Sequence, residues 1–152
     1  MNEKLNASHP FNILLVEDNP DDVLLTKHAF KRLPVAVDFQ VASDGCEALK
    51  VLRRLPPHDD APRPDIILLD LNMPRMDGRQ LLSELKRDER LKIIPAIILT
   101  TSAAEEDVCN AYRAHASAYV TKPIDLQSFA RRTQCLADFW LSDVAVLPTP
   151  GA

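Results

Sequence analysis

The sequence predicts a doubly wound α/β fold, a parallel sheet covered by helices on both faces, and three observations carry that prediction. Apolar runs of strand length alternate with stripes of helical period five times along the 152 residues. Two of the runs, Ile66-Ile67-Leu68-Leu69 and Ala96-Ile97-Ile98-Leu99, are continuously aliphatic, as strands buried on both faces of a parallel sheet are. The strands also end abruptly on polar side chains, at the carboxyl edge where open α/β sheets bind ligands.

Phe11 to Val16 reads as the first strand and runs into Glu17-Asp18-Asn19-Pro20-Asp21-Asp22. Asn19 suits an N-cap, Pro20 the first helical position, and Asp21 and Asp22 the positive end of the helix dipole. Glu17 and Asp18 precede the cap and are left unexplained by helix chemistry. The first helix is expected to reach about Leu33, where Pro34 closes it. Val35, Val37, Phe39 and Val41 alternate with smaller or polar residues, as in an edge strand. Asp44 with Glu47 resembles a capping box opening a second helix with Leu49, Leu52 and Leu55 as its stripe. The stretch from Pro56 to Pro64 holds four prolines and is a surface loop tied at both ends.

After the central strand, Asp77 caps a third helix through Leu81, Leu82 and Leu85, and Ala96 to Thr100 forms the fourth strand. Ser102 with Glu105 is expected to cap a fourth helix carrying Val108, Ala111 and Tyr112. Ala118 to Lys122 is the last strand, and Asp125 caps a fifth helix with Leu126, Phe129, Leu136 and Trp140. These elements predict a flavodoxin-like sheet of order 2-1-3-4-5 with five helices and right-handed crossovers. The switch point then lies between the strands that deliver Glu17, Asp18 and Asp70.

About a quarter of the residues are charged and the formal charge is −4. This balance, with lysines and arginines scattered, argues for one globular domain and against nucleic acid as the partner. Cys46, Cys109 and Cys135 have no metal-like spacing and read as buried or half-buried thiols of a reducing compartment. No apolar run reaches membrane-spanning length and the start is polar, so no membrane contact and a cytoplasmic location are expected.

Four strand ends therefore bring Glu17-Asp18, Asp70, Thr100 and Lys122 to one edge. Three clustered carboxylates repel one another without a cation, and hard oxygen donors with room for water suit Mg²⁺. The turn after Asp70 can add the backbone carbonyl of Asn72. Lys122 supplies a point charge for a phosphate oxygen, and the Thr100 hydroxyl can donate to another. Asp70 is then a nucleophile that accepts a phosphoryl group and becomes an aspartyl phosphate. Taken alone, Asp70 would read as a strand-end carboxylate making turn hydrogen bonds. In the company of Lys122, Thr100 and the acidic pair, the phosphoacceptor reading prevails.

In Glu17-Asp18, in Asp70-Leu71-Asn72-Met73-Pro74-Arg75-Met76-Asp77-Gly78, in Thr100, and in Tyr119 followed by Lys122-Pro123, the chain resembles the receiver domains of two-component response regulators, a CheY-like fold. The match runs from about Phe11 to Ala137. It implies an N-terminal arm at 1–10, a receiver domain at 11–138 and a C-terminal extension at 139–152. It implies Mg²⁺, with Mn²⁺ or Ca²⁺ as substitutes, held by Glu17, Asp18, Asp70 and the Asn72 carbonyl. It also implies a phosphate met by Thr100, the Thr101 backbone and Lys122, and a two-state switch in which Thr100 moves toward the phosphate while Tyr119 swings inward. A cis Lys122-Pro123 bond is implied as well, against the general preference for trans. The turn before the last strand, Ala114 to Ala118, lacks the usual glycine, so a non-glycine residue there is expected in a left-handed conformation.

The Pro-rich loop and the ending from Asp138 to Pro148, with its Phe139-Trp140 and Leu147-Pro148 pairs, resemble the single-domain response regulators of bacterial and cyanobacterial phytochromes. That implies a sensor histidine kinase, of the phytochrome kind, as donor, and no enzyme activity beyond self-phosphorylation and self-dephosphorylation. The apolar tail either folds back or buries against a second copy; a homodimer through the fifth helix and the tail is the favoured expectation. Two rival readings stand beside this one. A haloacid-dehalogenase-type phosphatase needs a second acid two residues after its nucleophile, where this chain has Asn72. A receiver-like docking protein without phosphorylation would sit more easily on a chain lacking Asp70 or Lys122.

Overall fold

The computed structural model describes residues 10–142 and 144–148, so the expected N-terminal arm lies outside the described residues except for Pro10. The elements run β1 (Phe11–Val16), α1 (Pro20–Lys31), β2 (Val37–Ala42), α2 (Gly45–Leu52), β3 (Ile66–Leu69), α3 (Gly78–Arg87), β4 (Ala96–Thr100), α4 (Glu105–Arg113), β5 (Ala118–Thr121) and α5 (Leu126–Trp140). The sheet order is β2-β1-β3-β4-β5 with parallel pairing throughout. Val16 pairs with Ala42 and Leu69, and Leu69 with Ile98, so β1, β2 and β3 finish nearly level. That level finish is what delivers the polar residues after β1 and β3 to one edge.

Alternation along the buried strands divides the core in two. Leu14, Val16, Ile67, Leu69 and Ile98 pack with Leu49, Leu81, Leu85 and Ala111, which places α2, α3 and α4 on one face. Ile13, Leu15, Ile66, Leu68 and Ile97 pack with Phe30, Ala137 and Leu141, which places α1 and α5 on the other. The strands β3 and β4 are buried along their whole length, while β5 at the sheet margin is half-buried.

Several local expectations are refined. Helix α1 ends at Lys31, short of Leu33, with Arg32 as C-cap. Asp44 caps α2 by accepting from the Glu47 N–H at 2.8 Å, but the Glu47 carboxylate turns outward to His58 at 2.7 Å instead of closing a capping box. Leu55 lies beyond α2 and is exposed. The N-cap of α4 is Ala104, not Ser102, because the Ser102 hydroxyl is spent on Asp107. Asp77 and Gln80 form a full capping box on α3. His115, at φ 70°, takes the left-handed conformation that a glycine would normally supply. The cysteines are less buried than expected: Cys46 and Cys135 are exposed and Cys109 is half-buried. The Pro-rich loop is tied down by Arg54 to the Ala61 carbonyl and by Arg63 to the Arg90 carbonyl.

At the end of α5 and beyond it, Leu141 is buried and Trp140 and Leu147 pack against the α1/α5 side of the core, whereas Phe139, Val144 and Val146 are exposed. The tail thus folds back in part and leaves part of its apolar surface exposed. Among the described residues, no helix is long and apolar enough to cross a membrane.

Candidate functional site

Backbone hydrogen bonds fix each strand-end residue before its side chain is considered. The Glu17 N–H donates to the Ala42 carbonyl at 2.9 Å, extending the β1 ladder by one residue and burying Glu17 to 4% exposure. Asn19 caps α1, accepting from the N–H groups of Asp21 and Asp22. The Asp70 N–H donates to the Val16 carbonyl at 3.1 Å, and its Oδ1 accepts from the Asn72 N–H at 3.3 Å. The return of the β3–α3 loop requires glycine: a Cβ on Gly78 would stand 2.1 Å from the Asp70 carbonyl oxygen. The Lys122 N–H donates to the Thr100 carbonyl at 2.7 Å, which seats the lysine beside the β4 end.

These anchors bring Glu17, Asp18, Asp70 and Lys122 together. One oxygen from each of Glu17, Asp18 and Asp70 lies within 4.8 Å of the others. Lys122 Nζ donates to Glu17 Oε2 at 2.8 Å and to Asp70 Oδ2 at 3.2 Å. Burial, reinforced by the neighbouring Asp70, pushes the Glu17 carboxyl up to about 7 against the pull of Lys122. Asp70 is held below its ordinary value: burial opposes this, but hydrogen bonding from Glu17, the Lys122 charge and the Asn72 N–H outweigh it. The Lys122 ammonium is likewise favoured, burial notwithstanding, by Glu17, Asp70 and Asp22. A carboxyl whose ionisation burial disfavours, beside one held below its ordinary value and an exposed third, is a donor set that fits a hard divalent cation.

Thr100 is fully buried at the same edge and its Oγ1 has no hydrogen-bond partner, while the hydroxyl biases Asp70 toward ionisation. Asn72 is exposed and Thr101 is exposed beside Lys122. Tyr119 stands apart from the carboxylates: half-buried against the α2–α4 side of the core, it donates to the Ser102 carbonyl at 2.9 Å. The Lys122–Pro123 bond is trans, in line with the intrinsic preference of X–Pro bonds, and the cis bond among the described residues is Pro56–Pro57.

Two features escaped the sequence reading. Asp22 does more than start a helix, for its Oδ2 accepts from Lys122 Nζ at 3.2 Å. The available signal was an excess of acid: with Asn19 as cap, Asp21 alone would serve the dipole, and a side chain in the first turn leans back over the strand ends. The second is the pairing of the Asp44 carboxylate, buried at the β2–α2 turn, with Arg75 of the β3–α3 loop, whose φ of 60° no residue-type signal announces.

The response regulator receiver domain family model matches residues 13–134. Response regulator Rcp1 of Synechocystis sp. is 38% identical over 140 residues, spanning 92% of this chain and 95% of that protein. The protein named "Probable methanogenesis regulatory protein FilR2", from Methanothrix harundinacea, is 40% identical over 139 residues, spanning 90% of this chain and 88% of its own. The crystal structure of the phosphorylated cyanobacterial phytochrome response regulator RcpA superposes with a TM-score of 0.87 at 39% identity, covering 92% of this chain and 99% of that one. The Mn²⁺-bound form of Rcp1 superposes with a TM-score of 0.85, covering 92% and 100%. The fold and the order of its strands agree with these likenesses, and the chain belongs to the response regulator receiver domain family.

Proposed function

We propose that this receiver accepts a phosphoryl group on Asp70 from the phosphohistidine of a sensor histidine kinase and passes the signal on by a change of conformation. The observation that carries the reading is the cluster of Glu17, Asp18 and Asp70 oxygens within 4.8 Å with Lys122 bonded to two of them. Asp70 is the ionised nucleophile. Its oxygen bonds to phosphorus as the phosphorus–nitrogen bond to the donor imidazole breaks, and the imidazole departs with that electron pair. Mg²⁺, held by Glu17, Asp18, Asp70 and the Asn72 carbonyl, would offset the charge gathered there, and the Mn²⁺-bound form of Rcp1 supports a divalent ion. Lys122 then meets a phosphate oxygen, and the unpartnered Thr100 hydroxyl gains its first acceptor there. Tyr119 follows the β4–α4 loop to which it is bonded.

The likeness to RcpA and Rcp1 supports a phytochrome-type kinase as donor; a cytoplasmic location and no enzyme activity beyond the protein's own phosphorylation cycle belong to the same proposal. A second copy of the chain covers Phe139, Val144 and Val146 in a homodimer. Phosphotransfer profiling tests the whole: a panel of phosphorylated histidine kinases that includes phytochromes is mixed with this protein and Mg²⁺. Rapid transfer from a phytochrome kinase, abolished by Asp70→Asn, is the expected result. Transfer from none of them overturns the reading, and transfer from another sensor class alone overturns the phytochrome assignment.

A further inference from the structure

We propose that Asp22 is a positioning residue that keeps the Lys122 ammonium over Asp70 when Glu17 and Asp70 are occupied by a cation; the inference rests on the function proposed above. An ammonium has three protons to donate, and Lys122 Nζ places them on three carboxylates: Glu17 at 2.8 Å, Asp22 at 3.2 Å and Asp70 at 3.2 Å. Two of these acceptors have a second task, because Glu17 and Asp70 belong to the group of oxygens that can hold a metal, and Asp22 does not. Once a cation draws on Glu17 and Asp70, Asp22 is the partner that Lys122 retains.

Asp22 is not needed for the helix start. Asn19 already accepts from the first N–H groups of α1, and Asp21 supplies an acid to the same turn. Its place is nevertheless held firmly, since the buried Thr26 hydroxyl donates to the Asp22 carbonyl at 2.8 Å. Beside the lysine lies a cavity of about 130 Å³ bordered by Asp22, Thr26, Thr101, Lys122, Pro123 and Phe129. An untethered lysine therefore has somewhere to go, away from the phosphoryl oxygen it must meet. Asp22 borders that cavity and accepts from the ammonium at 3.2 Å.

The test compares Asp22→Asn with Asp21→Asn, which removes the same charge from the same turn without touching Lys122. Phosphorylation is driven by phosphoramidate at saturating Mg²⁺, so that no kinase surface is involved, and in parallel the Lys122 ammonium is followed by ¹⁵N NMR in the Mg²⁺-loaded, unphosphorylated protein. The expected result is a rate about fivefold lower in Asp22→Asn, with Asp21→Asn close to the parent. The ammonium signal should persist with Mg²⁺ in the parent and in Asp21→Asn and vanish in Asp22→Asn. Equal rates in the two variants, a faster Asp22→Asn, or loss of the signal on adding Mg²⁺ to the parent would each overturn the role of Asp22. A parent that takes no phosphoryl group from phosphoramidate overturns the proposed function instead, while the NMR comparison still decides whether Asp22 holds Lys122.

Discussion

Tyr119 donates its hydroxyl to the Ser102 carbonyl at 2.9 Å, and that single bond ties the β5 ring to the loop that follows Thr100. Ser102 Oγ donates in turn to Asp107 at 2.6 Å, and Asp107 accepts from Arg79 at 2.9 Å. Ser102 and Arg79 together hold the Asp107 carboxyl below its ordinary range. The loop between β4 and α4 is thus fastened to both α3 and β5 in the unphosphorylated form. Tyr119→Phe should lower stability by about 1 kcal/mol in urea titrations, the worth of one hydrogen bond, while leaving phosphorylation intact. An unchanged unfolding midpoint would show that the bond contributes nothing to the resting state.

Thr100 presents the opposite case, a buried hydroxyl that nothing satisfies. Leaving such a group unpaired costs about 1–3 kcal/mol, so Thr100→Val should stabilise the unphosphorylated protein by about 1 kcal/mol after allowance for imperfect repacking. The same variant should still take up phosphate but lose the accompanying conformational change, read as the difference between NMR spectra before and after phosphorylation. A destabilised Thr100→Val, or an undiminished spectral change, would contradict the switch role.

The fold was legible because its signals are local and repeated. Ile66 to Leu69 and Ala96 to Leu99 could only be doubly buried strands, and Asn19, Asp77 and Asp125 marked their helix starts. The strand-end residues of the site followed from the same logic. What stayed hidden depends on side-chain direction in three dimensions. Ser102 has the spacing of a cap yet spends its hydroxyl on Asp107, and Asp22 has the place of a dipole charge yet reaches Lys122. Leu141 and Leu147 turn inward while Val144 and Val146 face out, a division that an aperiodic tail cannot announce.

Glu17 gives the site a pH dependence of definite sign. Its carboxyl titrates at about 7 in the fold against an ordinary 4.5. A raised carboxyl contributes stability that is whole below 4.5 and is lost as the pH climbs through about 7, so the metal-free protein should weaken across that window. Cation binding needs the ionised form, so Mn²⁺ affinity should rise over the same window with release of a proton. Urea titrations and Mn²⁺ binding at both ends of the window, for the parent and for Glu17→Gln, check this. A parent profile as flat as that of Glu17→Gln would contradict the assignment.

The tail offers a separation of roles. Val144 and Val146 are exposed, whereas Leu141 is part of the core. Val144→Asp with Val146→Asp should therefore halve the solution mass of the proposed dimer, measured by light scattering, without altering the unfolding midpoint or the phosphorylation rate. A mass that matches the parent would count against the tail as the dimer contact.

The central claim is that the phosphoryl group resides on the side chain that ends β3. Borohydride reduces an acyl phosphate to the alcohol, so treating the phosphorylated protein and mapping its peptides by mass spectrometry reads the site directly. The account predicts homoserine at position 70 and nowhere else, dependent on added Mg²⁺; an unreduced Asp70 together with a converted or phosphorylated residue elsewhere would contradict it.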